Sequence, residues 1–240
     1  MILAVDAGNS RVKWGLHDGQ DWLRKGWAAV ADAESLGAAW SGVVAPERIV
    51  VSNVAGGAMR TELERCLSPW GCKTSWITAL SEQCGVRNGY RHPGQLGSDR
   101  WAALIAAWKR CGRACVVVNA GTAMTADALN DSGKFLGGLI VPGLTTMRRA
   151  LASNTAALEM SPGQFADFPV CSADAVYSGA LSAMAGAVER MMQALGKETG
   201  RTPLCLLSGG DATALCERLS AEAAIVDNLV LDGLIEIAKQ

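Results

Sequence analysis

Ile2-Leu3-Ala4-Val5-Asp6-Ala7-Gly8-Asn9-Ser10 stands at the start of the chain, and Cys115-Val116-Val117-Val118-Asn119-Ala120-Gly121-Thr122-Ala123 repeats its plan 113 positions later. Each copy is a continuous apolar run of the kind that forms a buried strand, then Asp or Asn, then Ala-Gly, then a small polar residue. One copy alone is satisfied by an Asp/Asn turn in a β-hairpin. Hairpins have no reason to recur at half the chain length, so the pair predicts two similar lobes. We place them at residues 1–112 and 113–240, each presenting a glycine-containing strand-turn-strand at the same end of its sheet, with a cleft between them.

Outward from these copies, short apolar runs alternate with helical patterns along the whole chain, which is an α/β signature. Val12 to Leu16, Ile49 to Val51, Trp76 to Thr78, Leu204 to Leu207 and Ala224 to Val226 read as strands, and Met59 to Leu67, Ala212 to Leu219 and Leu229 to Ile237 as helices. Trp101, Leu104, Ile105 and Trp108 fall at the i, i+3, i+4, i+7 spacing of a helix with one buried face. A longer helix runs from Ala173 to Leu195, with Val176, Ala180, Met184, Ala187, Met191 and Leu195 on one side and Gly196 as its stop. Phe135 to Leu144 sets Gly137-Gly138 and Pro142-Gly143 around an apolar strand, which predicts tight turns. Ser208-Gly209-Gly210-Asp211 follows another strand, where backbone could pack against an adenosine.

Composition narrows the partners. In 240 residues, 22 Lys+Arg against 23 Asp+Glu leave a net charge of -1, and 50% of the chain is hydrophobic. Folding should leave roughly 10,000 of about 36,000 Å² exposed, which excludes a disulfide scaffold or a disordered chain. No basic cluster exists to neutralise phosphates along a nucleic acid. The eight cysteines form no CxxC pair and the two histidines, His17 and His92, lie far apart, so reduced thiols are expected and a His/Cys zinc site is not. With no export leader and no apolar run of spanning length, the expectation is a cytoplasmic protein without a membrane partner.

The first glycine turn suits a nucleotide. Gly8 lets backbone approach a phosphate, the amides of Asn9 and Ser10 can donate, Asp6 can hold a hydrated divalent cation, and Lys13 can reach a phosphate oxygen. Gly121-Thr122 supplies the second turn of the clamp. A second candidate segment is Tyr90 with Gly97-Ser98-Asp99-Arg100. Asp99 or Ser98 would serve as a helix N-cap, yet Asp99 could equally take a proton from an alcohol attacking a γ-phosphate. Arg100 offers a fork for a substrate carboxylate.

Together these segments resemble the type III pantothenate kinases, relatives of acetate kinase, the sugar kinases, heat-shock ATPases and actin. The similarity runs from Asp6 to Asp232-Gly233-Leu234, and its most specific parts are Asp6 to Ser10 with Lys13, Tyr90 with Gly97 to Arg100, Ala120 to Asp127, and Gly137-Gly138 with Pro142-Gly143. It implies an α/β fold of two ribonuclease H-like lobes, the actin-like ATPase fold, with a nucleotide cleft between them. It also implies ATP-dependent phosphorylation of the 4'-hydroxyl of pantothenate, the first step of coenzyme A synthesis. Asp6, Ala7, Gly8, Asn9, Ser10, Arg11, Val12, Lys13 and Thr122 would bind ATP, with Mg²⁺ held through water at Asp6. Asp99 would be the proton acceptor, and Tyr90, Gly97, Ser98, Asp99, Arg100 and Ser172 would hold pantothenate. Homodimers are implied, and we place the interface at Met147 to Leu151 and the long helix after Ser172.

Two positions depart from the family pattern. Asn119 stands where Asp is usual, at a position associated with a monovalent cation such as K⁺ or NH₄⁺; an amide carbonyl still coordinates but lacks the charge. Cys171-Ser172 stands where Asn-Thr is usual, and Ser172 could touch substrate or cap the helix. The other readings are a same-fold kinase for another hydroxylated acceptor, and a catalytically weak homologue acting as a regulatory accessory factor.

Overall fold

The structure is a computed structural model, and it describes residues 1–155, 158 and 160–240. The chain divides into two compact units, Met1–Arg110 with Asn228–Gln240, and Cys111–Asp227. In chain order the first holds β1 (Ile2–Ala7), β2 (Arg11–His17), β3 (Trp22–Ala29), α1 (Leu36–Ala39), β4 (Arg48–Asn53), α2 (Gly57–Leu67), β5 (Thr74–Trp76), β6 (Glu82–Gln83), β7 (Val86–Asn88) and α3 (Ser98–Cys111). The second holds β8 (Cys115–Ala120), β9 (Ala123–Leu129), β10 (Lys134–Pro142), α4 (Leu144–Asn154), α5 (Ser172–Thr199), β11 (Leu204–Ser208), α6 (Ala212–Cys216) and β12 (Ala223–Ile225). The last helix, α7 (Leu229–Ala238), packs on β1, β2 and β4. Thus the C-terminal segment, grouped by the sequence reading with 113–240, makes its contacts in the first unit.

The repeat is visible in the topology. The first sheet runs β3-β2-β1-β4-β5, with β1 antiparallel to β2 and parallel to β4. In the second unit the order β10-β9-β8-β11-β12 repeats it, with β8 antiparallel to β9 and parallel to β11. Leu3, Val5, Ala7, Val12, Trp14, Leu16, Ile49 and Val51 alternate onto one face of the first sheet and pack with Leu36, Met59 and Leu63 of α1 and α2. Burial of each such large side chain contributes about 1.5–3 kcal/mol. The opposite face takes α7, whose Gly233 lies so close to α3 that a Cβ would overlap the Ala102 carbonyl. In the second unit Val116, Val118 and Met124 meet Leu181, Met184 and Val188 of α5.

Several expectations need correcting. The long helix does not stop at Gly196 but four residues later at Gly200, where φ is +71° and the left-handed conformation favours glycine. Its buried residues include Leu181, Ala185, Val188 and Met192, whereas Val176, Ala187 and Met191 are only partly buried. Gly137-Gly138 is not a tight turn. Both glycines lie inside β10, with Gly137 at φ +145° where the register against β9 shifts. The helix after β11 ends at Cys216, short of Leu219.

Candidate functional site

Strand register builds the first half of the site. Asp6 on β1 pairs with Lys13 on β2 and with Ser52 on β4, so acid, cation and hydroxyl form one row across the sheet. Because side chains alternate with period two, all three point away from the core that holds Val5 and Ala7. The row lies beside the turn Gly8-Asn9-Ser10, closed by the Gly8 N–H donating to the Arg11 carbonyl at 3.1 Å. Asn9, Ser10 and Arg11 are exposed there and Val12 is buried in the core. Within the half-buried Asp6 residue, Oδ1 is enclosed and has no hydrogen-bond partner among the described residues. Burial, with the Asp99 carboxylate adding to it and Lys13 opposing, pushes the Asp6 carboxyl up to about 7.

The start of α3 brings the second carboxylate. Ser98 is its first residue and shares a 2.9 Å hydrogen bond with Ser52, both hydroxyls being buried. Asp99 follows in the first turn, and its Oδ1 accepts the Arg100 N–H at 2.8 Å. Of the two readings of Asp99, the cap is therefore met only by a local bond, and the carboxylate remains beside Asp6. Burial raises its pKa, opposed by the Arg100 N–H and guanidinium. A Cβ on Gly97 would stand 2.5 Å from Asp99 Oδ1, so glycine at 97 makes room for the carboxylate rather than only for a ligand.

Arg100 is 6% exposed, an uncommon burial for arginine. Its Nη1 donates to the Tyr90 hydroxyl at 3.1 Å and its guanidinium lies 5.7 Å from the Tyr90 ring centroid. Next to it the Trp101 indole N–H donates to Gln83 Oε1 at 3.0 Å, anchoring α3 to the short β6–β7 hairpin that precedes Tyr90. The structure thus joins Tyr90, Gly97, Ser98, Asp99 and Arg100 to the Asp6 row within one unit.

The second unit repeats the row with its charge removed. Asn119 pairs with Thr125 on β9 and with Ser208 on β11, in the places of Asp6, Lys13 and Ser52. The Gly121-Thr122 turn is one residue shorter than Gly8-Asn9-Ser10, and Gly121 N–H donates to the Ala123 carbonyl at 3.1 Å. Two further glycines hold this turn. A Cβ on Gly143 would overlap the Gly121 carbonyl, and one on Gly209, at φ +103°, would overlap that of Ala120. The Thr122 carbonyl accepts from Gly143 N at 3.0 Å and from the Thr146 hydroxyl at 2.6 Å. The Gly-Gly-Asp segment after β11 is therefore packed on the turn itself through Gly209.

Ser172 is the first residue of α5, exposed and lining an apolar cavity of about 600 Å³ with Met147, Leu151 and Val176. Cys171 holds the cap position, without a side-chain cap bond, so the capping alternative for Ser172 is not met. Ser52, Gln83 and the packing roles of Gly143 and Gly209 were missed by the sequence reading. Serine and glutamine in short strands carry no local signal, and the close approach of a glycine is a tertiary fact.

Comparison with known proteins gives the family and the fold. A family model for type III pantothenate kinase matches residues 2–194. The type III pantothenate kinase of Nitrosospira multiformis is 52% identical over 240 residues, covering 100% of this chain and 92% of its own. That of Aromatoleum aromaticum is 46% identical, covering 100% and 98%. Among solved structures, the ethanolamine utilization protein EutJ from Carboxydothermus hydrogenoformans superposes with a TM-score of 0.57 at 15% identity, covering 98% and 88%. A ROK family glucokinase from Streptomyces griseus, in complex with glucose and AMPPNP, gives 0.54 at 10%, covering 100% and 99%. The two-sheet α/β architecture is the actin-like ATPase fold expected from the sequence.

Proposed function

This chain belongs to the type III pantothenate kinase family, and from that premise we propose how its own residues carry the ATP-dependent phosphorylation of pantothenate. The observation that carries the reading is the pairing of two carboxylates, Asp6 with its orphaned buried oxygen and Asp99 at the head of α3. Asp99 accepts the proton of the 4'-hydroxyl as its oxygen bonds to the γ-phosphorus and ADP leaves. Its raised pKa reflects a buried carboxylate, which binds a proton more readily than a solvated one.

Arg100 and Tyr90 orient the acceptor, their mutual hydrogen bond fixing the guanidinium before substrate arrives. Gly97, Ser98 and Ser172 complete the pantothenate contacts. Ala7, Gly8, Asn9, Ser10, Arg11, Val12 and Lys13 receive the ATP phosphates, and Thr122 is a further proposed ATP contact. An unpartnered carboxylate oxygen is the donor type a hydrated divalent cation uses, so Asp6 fits Mg²⁺ held through water. When bound, that ion neutralises charge on the transferring phosphoryl group.

Asn119 is proposed as a weak monovalent-cation ligand, since its row with Thr125 and Ser208 offers oxygens without a formal charge. A homodimer is proposed on the apolar cavity between α4 and α5, where Leu151 is 41% exposed. A reducing cytoplasm is proposed because the eight cysteines form no disulfide. Among the described residues no helix is long and apolar enough to cross a membrane.

A coupled ADP-release assay over pantothenate, pantetheine and several sugars, with and without K⁺, tests the reading. Turnover should be confined to pantothenate-like acceptors and respond weakly to K⁺. Preferred turnover of a sugar would refute the acceptor assignment, and strong K⁺ activation would refute the weak Asn119 site.

A further inference from the structure

The row Ser52-Asp6-Lys13 continues by one more strand. Trp27 on β3 pairs directly with Lys13 and therefore points to the same side of the sheet. Three of its fellow indoles, Trp14, Trp40 and Trp101, are at most 3% exposed, whereas Trp27 is 61% exposed, so burial does not account for a large aromatic there. What Trp27 does hold is Arg11, whose guanidinium carbon lies 4.6 Å from the ring centroid. Arg11 is the residue just beyond the Gly8-Asn9-Ser10 turn, two before Lys13 on the same face of β2. Among the described residues the Arg11 guanidinium has no carboxylate partner, so its charge is held in place without being neutralised.

The second unit supplies an internal control. In its equivalent row the residue opposite Thr125 is Ile140, 62% exposed, and the place of Arg11 is taken by Ala123. An exposed apolar residue opposite the middle strand's row residue is thus common to both copies. The aromatic face with a cation on it belongs to the first copy, where the acid and the lysine also are.

We propose that Trp27 is a positioning residue for ATP, its indole face fixing the Arg11 guanidinium beside Lys13 so that two cations stand ready for the polyphosphate tail. This rests on the assignment of residues 6–13 to ATP made above. A guanidinium on a long flexible stem loses rotamer entropy when it binds an anion, and an aromatic face that restrains it beforehand lowers that cost.

Calorimetric binding of ATP in Mg²⁺, on the full chain, reads the effect without depending on the acceptor. Trp27→Ala should weaken the ATP Kd about fivefold, the size of an exposed cation–π contact, and Trp27→Phe should restore most of it. In an Arg11→Ala background, Trp27→Ala should add nothing. Pantothenate KM should stay within about twofold in either Trp27 variant. An unchanged Kd in Trp27→Ala, or an equal loss with Arg11 already removed, would overturn the inference. Wild-type chain that binds ATP but phosphorylates no pantothenate would instead refute the functional reading, leaving the Kd comparison decisive for Trp27.

Discussion

Ser52 and Ser98 share a buried 2.9 Å hydrogen bond across 46 residues of chain, tying the end of β4 to the first residue of α3. Ser52 is the register partner of Asp6 and Ser98 precedes Asp99, so this bond fixes the spacing of the two carboxylates. Ser52→Ala leaves the Ser98 hydroxyl buried without its partner, at a cost of about 1–3 kcal/mol. We expect kcat to fall about tenfold while the ATP KM is retained; kinetics that match wild type would show that α3 is placed without this bond.

Asp6→Asn separates binding from stability. The folded carboxyl, at about 7, binds its proton more tightly than the unfolded one at 3.8, so stability falls as pH rises between those values. Replacing it with the uncharged amide should remove that slope and raise Tm at pH 8 by about 5 °C, while turnover with Mg²⁺ falls at least a hundredfold. Thermal melts at pH 5 and pH 8 beside an activity assay check both halves. A lower Tm at pH 8 would contradict the burial argument.

Gly143 and Gly209 hold the second turn by proximity. Either alanine variant must push the Gly121 or Ala120 carbonyl aside, and Gly209 also carries a left-handed φ. Both should lose about 2–4 kcal/mol in chemical denaturation and bind ATP at least tenfold more weakly. Gly210→Ala, where nothing lies within 4 Å of an added Cβ, should do neither.

His17 gives a pH signature away from the site. It is 6% exposed, its Nδ1 accepts the Gly19 N–H at 2.9 Å, and its ring stands edge-on to Trp22 at 4.9 Å. Burial, then Lys239, lowers its pKa, against the pull of Asp18, Asp21 and Asp232. Below 6.5 the unfolded chain takes up a proton that the folded one resists, so this contribution to stability is present above 6.5 and is lost as pH falls. From pH 6.5 to pH 5 the Tm difference between His17→Gln and wild type should move in the variant's favour, with the opposite contribution of Asp6 common to both chains, and a constant difference would assign the effect to other groups.

The repeat was legible because its signal is local: two apolar runs, each closed by Ala-Gly, needed no tertiary knowledge. The site was legible where it follows such runs, at Asp6 to Lys13, and where a helix pattern begins, at Asp99. The buried face of α5 was not. That helix meets α4, α6 and strands of its own sheet, so Leu181 and Val188 are buried beside the stripe that a single-faced pattern picks out. Gly196 misled for a related reason: glycine inside a helix costs about 1 kcal/mol, which packing absorbs, and only the left-handed backbone at Gly200 ends the helix.

In the proposed reaction Asp99 receives the proton of pantothenate's hydroxyl. The deciding measurement is single-turnover ADP formation with pantothenate in wild type and Asp99→Asn at matched ATP occupancy. The predicted result is a loss of about 10² to 10⁴ in rate with ATP affinity intact. Wild-type turnover in Asp99→Asn would contradict it.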